Sequence, residues 1–299
     1  MLSRPRASGA SGAASATTLR VGTWNISHWL RQKVERAAVE IPFDILALQE
    51  TQLAEVPLGR ARLTARALGL HLHHGRPVPA SGHSVHGRSC GVGFVAQQGL
   101  ALSPALPVGA AGRRLLAQCR WHAVQLAPRP DLPRGLLLVS VYAPLESQRR
   151  GADRQQWNAT MLEHLHSLDM QVPTLMLGDF NGSMMPARDY NSESGAGRAV
   201  CPLLAALLGP GGAWLDVHNT LLAAPLPWTF QNHDSTGKLS ASRIDLVLAN
   251  RAAMPLVLDA SVFSDVRDGG HSPVLVTLRL TSESTIRWQR PRARVPPLL

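Results

Sequence analysis

Seven polar residues stand where apolar runs of this chain end. They are Asn25 in Trp24-Asn25-Ile26, Glu50 in Leu48-Gln49-Glu50, Tyr142 in Val141-Tyr142-Ala143-Pro144, Asp179 and Asn181 in Leu177-Gly178-Asp179-Phe180-Asn181, Asp245 in Arg243-Ile244-Asp245, and His271 in Gly270-His271-Ser272-Pro273. A carboxylate at the end of a buried strand is unstable unless it is paired or bound to a metal ion. Such placement, repeated along the chain, points to one shared cleft. A histidine in that cleft titrates near neutrality, and a neighbouring carboxylate favours its charged form. Carboxylates, amides and a histidine together can bind a hard cation, hold an anion and move protons.

The elements that must position these residues are mixed. Leu19–Ile26 reads as a strand and Leu30–Glu40 as a helix, with Leu30, Val34, Ala37, Ala38 and Ile41 on one face; Asp44–Leu48 reads as a second strand. Leu58–Leu68 is expected to be helical, and Gly75–Ser89, rich in Gly, His and Pro, to be a loop facing substrate. Gly91–Ala96, Leu115–Gln125 and Leu136–Tyr142 read as consecutive strands, close enough in sequence to pair antiparallel. A helix is expected over 149–169, through Trp157, Met161, Leu165 and Leu168, followed by strands at Thr174–Leu177, Arg243–Leu248 and Pro273–Leu280. This alternation suits two packed sheets flanked by helices.

In order along the chain, Trp-Asn, Gln-Glu, Tyr-Ala-Pro, Gly-Asp-Phe-Asn, Arg-Ile-Asp and His-Ser-Pro resemble the motif series of the endonuclease/exonuclease/phosphatase superfamily. The resemblance covers roughly residues 20–280 and implies the deoxyribonuclease I-like fold, a four-layer α/β (α+β) sandwich of two mixed β-sheets flanked by helices. Arg243-Ile244-Asp245-Leu246-Val247-Leu248, with Trp228-Thr229-Phe230 before it, is most similar to the endonuclease domains of non-LTR retrotransposons and the related abasic-site endonucleases. Carried over residue by residue, the resemblance implies that Glu50 is a principal ligand of Mg²⁺ or Mn²⁺, with Asn25 on the metal side. It implies that Asp179 orients or deprotonates the attacking water, that Asn181 and Tyr142 contact the phosphate, and that Asp245 orients or charges His271. It does not settle the base, so proton transfer falls to His271 and Asp179 jointly. Thr229 is a further candidate phosphate contact. In one place the chain departs from the pattern: Gly269-Gly270 stands before His271 where an acid is expected at position 270, and Asp268 and Asp265 are the acids that could compensate.

The implied reaction is metal-assisted hydrolysis of a phosphodiester, most of all a nick in DNA leaving a 3′-hydroxyl and a 5′-phosphate. An abasic-site repair endonuclease would use the same residues. So would a phosphoesterase acting on a phosphoinositide, sphingomyelin or a nucleotide, and the missing acid leaves room for a weakened nucleic-acid-binding relic. Charge favours nucleic acid: the formal net charge is +10, of which residues 1–20 and 281–299 carry +3 each, leaving +4 for the body. Arg outnumbers Lys by 28 to 2, which suits bidentate phosphate contacts and equally follows from biased base composition of the gene.

With 45% hydrophobic residues in 299, the sequence reads as one globular domain over 20–280, between a flexible leader at 1–19 and an Arg/Pro-rich tail at 281–299. Its apolar runs are too short to span a bilayer, and the N-terminus has no apolar block of a secretory signal, so no membrane partner is expected and an intracellular place, the nucleus included, is the default. Three cysteines with no CxxC pair support neither a disulfide framework nor a zinc site, and read as buried thiols. No polymerase motif is present, so a retrotransposon-type enzyme would be one domain of a longer polyprotein with a reverse transcriptase.

Overall fold

A computed structural model describes residues 17–79, 90–107, 109–145, 151–191, 198–233 and 235–280. The expectations for residues 1–16, for 80–89 of the candidate substrate loop and for the tail at 281–299 lie outside these. The chain opens with strand β1 (Thr17–Asn25), helix α1 (Arg31–Glu40) and strand β2 (Ile45–Gln49), with β1 and β2 parallel and Asn25 opposite Gln49. Val34 and Ala37 of α1 are buried, and Ile41 just beyond it, whereas Leu30 is 41% exposed and stands off the face expected for it. Arg31–Glu35 and Arg36–Glu40 pair along the solvent side, a spacing worth a few tenths of a kcal/mol.

Helix α2 (Glu55–Ala67) buries Leu58, Ala61 and Ala65 at intervals of three and four, and leads into strands β3 (Leu70–His74) and β4 (Val92–Gln97). Then come β5 (Leu102–Ala105), α3 (Gly109–Ala117), β6 (Trp121–Leu126), β7 (Leu136–Tyr142), α4 (Gly151–His166), β8 (Thr174–Asp179), α5 (Pro186–Asp189) and α6 (Pro202–Leu208). The remaining elements are β9 (Trp214–Asp216), α7 (Val217–Leu221), the hairpin strands β10 (Phe230–His233) and β11 (Leu239–Ser242), β12 (Asp245–Asn250), β13 (Val257–Val262) and β14 (Val274–Leu280).

Two mixed six-stranded sheets result, in the orders β13-β14-β1-β2-β4-β3 and β5-β6-β7-β8-β12-β9. Apolar side chains of both inner faces, among them Val21, Ile45, Phe94, Leu138, Leu177, Val247 and Val276, close one core between the sheets. A second core lies between the outer face of the second sheet and helices α4 and α6, built around Trp157, Met161, Phe180 and Leu204. Val34, Leu58 and Ala65 of α1 and α2 cover the outer face of the first sheet, completing four layers. Both inner sheets are buried on two faces, which is why their strands read as continuous apolar runs rather than alternating ones.

Two sequence expectations are corrected. The span Leu115–Gln125 is not one strand: α3 runs through Leu115 and Leu116 to Ala117, Cys119 turns the chain with φ +56°, and β6 begins at Trp121. Nor do β4, β6 and β7 form one antiparallel set. β4 pairs with β2 and β3 in the first sheet, while β6 and β7 pair in the second. The turn of α3 removes the direct hairpin connection that antiparallel neighbours would need.

Candidate active site

The site forms where the two sheets end side by side. Parallel pairing of β7 with β8 sets Tyr142 opposite Asp179, and antiparallel pairing of β8 with β12 sets Asp179 opposite Asp245. Three functional groups therefore lie in a row across three adjacent strands. Directly opposed like charges destabilise a sheet, so this register demands protonation or a nearby cation. Gly178 allows the row to close: it has φ +152°, and a Cβ there would stand 1.9 Å from the Val141 carbonyl oxygen of β7.

His271, after a tight turn, completes the group. Its Nδ1 lies 3.1 and 3.0 Å from the two carboxylate oxygens of Asp245, and its Nε2 lies 4.0 Å from Asp179 Oδ2. The Trp24 indole donates to the His271 carbonyl at 3.1 Å, and the Phe230 ring lies against the imidazole with centroids 4.8 Å apart. Burial opposes the imidazolium, but Asp245, then Asp179 and Glu50, outweigh it and raise its pKa to about 9. His271 is thus a charged donor at neutral pH. Burial, then the charge of Asp245, pushes the Asp179 carboxyl up to about 7 against the pull of His271 and of hydrogen bonds from the Asn181 N–H and the Asn25 amide. A group titrating at that pH is suited to exchanging a proton with water.

From the first sheet, Asn25 and Glu50 face this row. The Asn25 amide nitrogen donates to Glu50 Oε1 at 2.9 Å and to Asp179 Oδ2 at 3.0 Å, while its oxygen accepts from the Ser27 N–H at 2.9 Å. In this arrangement Asn25 spaces the two carboxylates, its oxygen being taken by Ser27. Glu50 follows β2 in the left-handed region at φ +53°, as does Gln52. Holding two such residues costs about 1–3 kcal/mol each, and the surroundings do hold them. The amides of Thr51 and Gln52 donate to the carbonyls of Gly91 and Cys90, each at 3.0 Å, and the Thr51 hydroxyl meets His74 Nε2 at 2.7 Å. Tyr142 is hydrogen-bonded to Glu50, and burial, then Glu50 and Asp179, pushes its phenol pKa well above the ordinary range.

Asn181 sits at φ +46°, a conformation Asn tolerates, with its amide nitrogen on the Ala143 carbonyl at 2.8 Å and its backbone N–H on Asp179 Oδ1 at 2.8 Å. Thr229 is buried, and its hydroxyl oxygen accepts from the Ile244 and Asp245 amides, both at 3.0 Å, so its evident work is to fix the start of β12. Asp268 and Asp265 do not join the cluster: Asp268 pairs with Lys33 at 2.5 Å, and Asp265 is exposed.

Several residues that hold the site were given no role by the sequence. Arg154 of α4 is buried beneath it and donates to the carbonyls of Pro144 and Phe180, tying the turn after Tyr142 to the turn after Asp179. Gln49 accepts from the Thr23 hydroxyl at 3.0 Å and donates to the Ser140 hydroxyl at 3.1 Å, bridging the two sheets through the core. Arg243 meets Asp189 at 3.0 Å and Asp216 at 2.7 Å, anchoring the segment before Asp245. A depression of about 520 Å³ at Leu215, Arg251, Met254 and Pro255 contains none of the site residues.

Residues 22–265 match the sequence profile described as "Endonuclease/Exonuclease/phosphatase family". The chain belongs to the endonuclease/exonuclease/phosphatase family. That match ends before His271, so the last motif rests on geometry. No curated protein matches the chain by sequence. Among solved structures, a 3′-5′ exonuclease (NExo) from Neisseria meningitidis is similar over 88% of this chain and 100% of that one, at 20% identity and TM-score 0.69. An AP endonuclease from Archaeoglobus fulgidus is similar over 87% and 99%, at 17% identity and TM-score 0.63. The AP endonuclease LMAP from Leishmania major is similar over 88% of each chain, at 19% identity and TM-score 0.68. The fold is the deoxyribonuclease I-like fold of this family, two mixed sheets flanked by helices.

The family is generally divalent-metal dependent, and the donor chemistry here fits a hard cation. Among the described residues, Asp179, Asp245 and His271 have ligand atoms within 4.8 Å of one another. An imidazolium cannot ligate a metal, however, and both His271 nitrogens already face carboxylates. Glu50, half-buried at the rim, could hold a cation that keeps most of its waters. Two buried carboxylates and Glu50 against one imidazolium leave the cleft short of positive charge, which a divalent ion, a positively charged contact or a proton on Asp179 can offset.

Proposed function

We propose that this chain hydrolyses phosphodiesters of DNA with Mg²⁺ or Mn²⁺, nicking one strand to leave a 3′-hydroxyl and a 5′-phosphate. The observation that carries this reading is the row Tyr142, Asp179, Asp245 facing Glu50, with a charged His271 at its end. Asp179 takes the proton of a water aligned for in-line attack, while the His271 imidazolium donates to a nonbridging phosphate oxygen. Asp245 holds that imidazole in its charged form. Asn181 and the Tyr142 hydroxyl supply further donors, and Asn25 keeps Glu50 and Asp179 from collapsing on one another. A divalent cation on Glu50 would stabilise charge on the phosphate and on the departing oxygen. Preorganised donors of this kind act most strongly where water is excluded.

The forms Arg243-Ile244-Asp245-Leu246-Val247-Leu248 and Trp228-Thr229-Phe230 support a retrotransposon-type enzyme, whose nick primes a reverse transcriptase of the same polyprotein in the nucleus. Likeness to two AP endonucleases supports a second reading, cleavage at abasic sites. The test is conversion of supercoiled plasmid to open circles with Mg²⁺, Mn²⁺ or EDTA, beside a duplex bearing one abasic site. Metal-dependent nicking is expected, and Glu50→Ala or His271→Ala should lower it at least ~100-fold, as loss of a metal ligand or transition-state donor does. Near-normal turnover in either variant would sink the site assignment. Cleavage restricted to the abasic duplex would favour the second reading.

A further inference from the structure

Cys90, two residues before β4, and Cys119, in the turn between α3 and β6, come from different sheets yet meet. Both thiols are buried, and they pack together in a small cluster with Val78. Their backbones are tied as well, the Gly91 N–H donating to the Cys119 carbonyl at 2.8 Å. Thiols packed together on joined backbones need only a small movement to reach the geometry of a disulfide.

Each cysteine also adjoins a different half of the active site. On one side, the carbonyls of Cys90 and Gly91 hold the amides of Gln52 and Thr51, the loop that keeps Glu50 in its left-handed conformation. On the other, Arg120 follows Cys119; its guanidinium lies 4.6 Å from the centre of the Tyr142 ring, and its carbonyl accepts from the Tyr142 N–H at 2.9 Å. We propose that Cys90 and Cys119 form a redox-modification site, at which an intramolecular disulfide shifts the Glu50 loop and the end of β7 and so weakens the site. The effect on activity rests on the function proposed above; formation of the bond does not.

The environment assigns the order of attack. The neighbouring Cys90 thiol, then Arg76 and Arg120, hold the Cys119 thiol below its ordinary pKa against burial, whereas the Cys119 thiol and burial push Cys90 up. Cys119, adjoining Arg120 in the chain, is taken as the nucleophile, and a small uncharged hydroperoxide is the oxidant able to enter a buried pair. The Cys119 thiolate attacks one oxygen of the hydroperoxide, breaking the O–O bond and leaving a sulfenic acid and hydroxide. Cys90 sulfur then displaces the sulfenic oxygen, which leaves as water with the Cys90 proton. Two thiols and one hydrogen peroxide give one disulfide and two waters. Closing the bond draws the sulfurs to about 2.05 Å, well inside the contact distance of two unbonded sulfurs.

The experiment treats the whole chain with hydrogen peroxide and reads three things: the cysteine-linked peptides by mass spectrometry after blocking free thiols, amide hydrogen exchange at Thr51 and Gln52, and plasmid nicking. A Cys90–Cys119 linkage is expected, with Cys201 still blockable, faster exchange at Thr51 and Gln52, and nicking lowered about tenfold, as for loss of a group that orients a metal ligand. Dithiothreitol should restore all three. Cys90→Ala should show none of these responses; if that variant misfolds, Cys119→Ala serves the same purpose. Three blockable thiols after treatment, or a linkage through Cys201, overturns the site. A Cys90–Cys119 bond with unchanged exchange at Thr51 and Gln52 overturns the coupling. Should the reduced chain fail to nick any DNA, the proposed function fails instead, while linkage and exchange still decide this inference.

Discussion

Restoring the acid that the family pattern expects before His271 should damage the protein rather than improve it. Gly270 has φ +89°, where an L-residue costs about 1–2 kcal/mol. A Cβ at that position would lie 2.7 Å from the Gln231 carbonyl oxygen and 2.8 Å from the Phe230 ring. The Gln231 backbone cannot retreat freely, because its N–H donates to the Gly270 carbonyl at 2.9 Å, a bond with a net worth of about 1 kcal/mol. Together these predict a loss of about 2–4 kcal/mol for Gly270→Asp, and at ~2–4 °C per kcal/mol a fall in Tm of roughly 5–15 °C. The Phe230 ring would also be pushed from its place against His271. Thermal unfolding of Gly270→Asp and Gly270→Ala, with Mg²⁺ titration of nicking, tests this; both variants should lose similar stability, since most of the penalty belongs to the Cβ. An Asp variant with unchanged Tm that nicks at lower Mg²⁺ would refute the reasoning, because the turn would then yield and deliver its carboxylate to the metal side.

Asp245→Asn removes the partner that most raises the His271 pKa, so the alkaline limb of the pH–rate profile, expected near pH 9 in the wild type, should move to lower pH; an unmoved limb would disconnect His271 from the rate. His74 and His122, held neutral mainly by burial with pKa values of about 4 and about 3, bind protons in the unfolded chain before they do so in the folded one. Stability is therefore unaffected by them above pH 6.5 and declines as pH falls below it. His122→Gln should flatten the slope of unfolding free energy between pH 6 and 4 by about 1.4 kcal/mol per unit, measured by urea titration; an unchanged slope contradicts the neutral buried assignment. Arg154→Met should lower kcat more than it raises KM, by misplacing Asp179 and Asn181 while leaving the outer surface intact, and Arg154→Lys should recover part of kcat. Equal changes in both constants would assign Arg154 to binding instead.

Much of the site was legible because polar residues interrupt apolar runs at only a few places, and those runs are the two-faced inner strands. Asn25, Glu50, Tyr142, Asp179, Asn181, Asp245 and His271 all end or adjoin such strands, and the structure gathers them at one edge of the sandwich. Less could be read of β5, β9, β10, β11 and β13, which are short or at sheet edges and carry no sustained period. The turn at Cys119 was hidden because Leu115 and Leu116 end a helix with the same apolar residues that would begin a strand. Arg154 lies in no motif, and Gln49 and Arg243 stood in motifs without a role of their own; burial and hydrogen bonding reveal the work of all three. The direction of Asn25, nitrogen toward the carboxylates, is likewise a matter of geometry that residue type does not announce.

The Thr23–Gln49–Ser140 bridge has a mechanical meaning. Half of the site rides on one sheet and half on the other, and the aliphatic core between them attracts without direction, so it would tolerate a small lateral slip with little loss of contact. Directional bonds tolerate no such slip. A single glutamine, grasped from both sides in the buried interior, acts as a dowel: it helps convert two layers that adhere into two layers that are aligned, so that Asn25 can span Glu50 and the row on the opposite sheet.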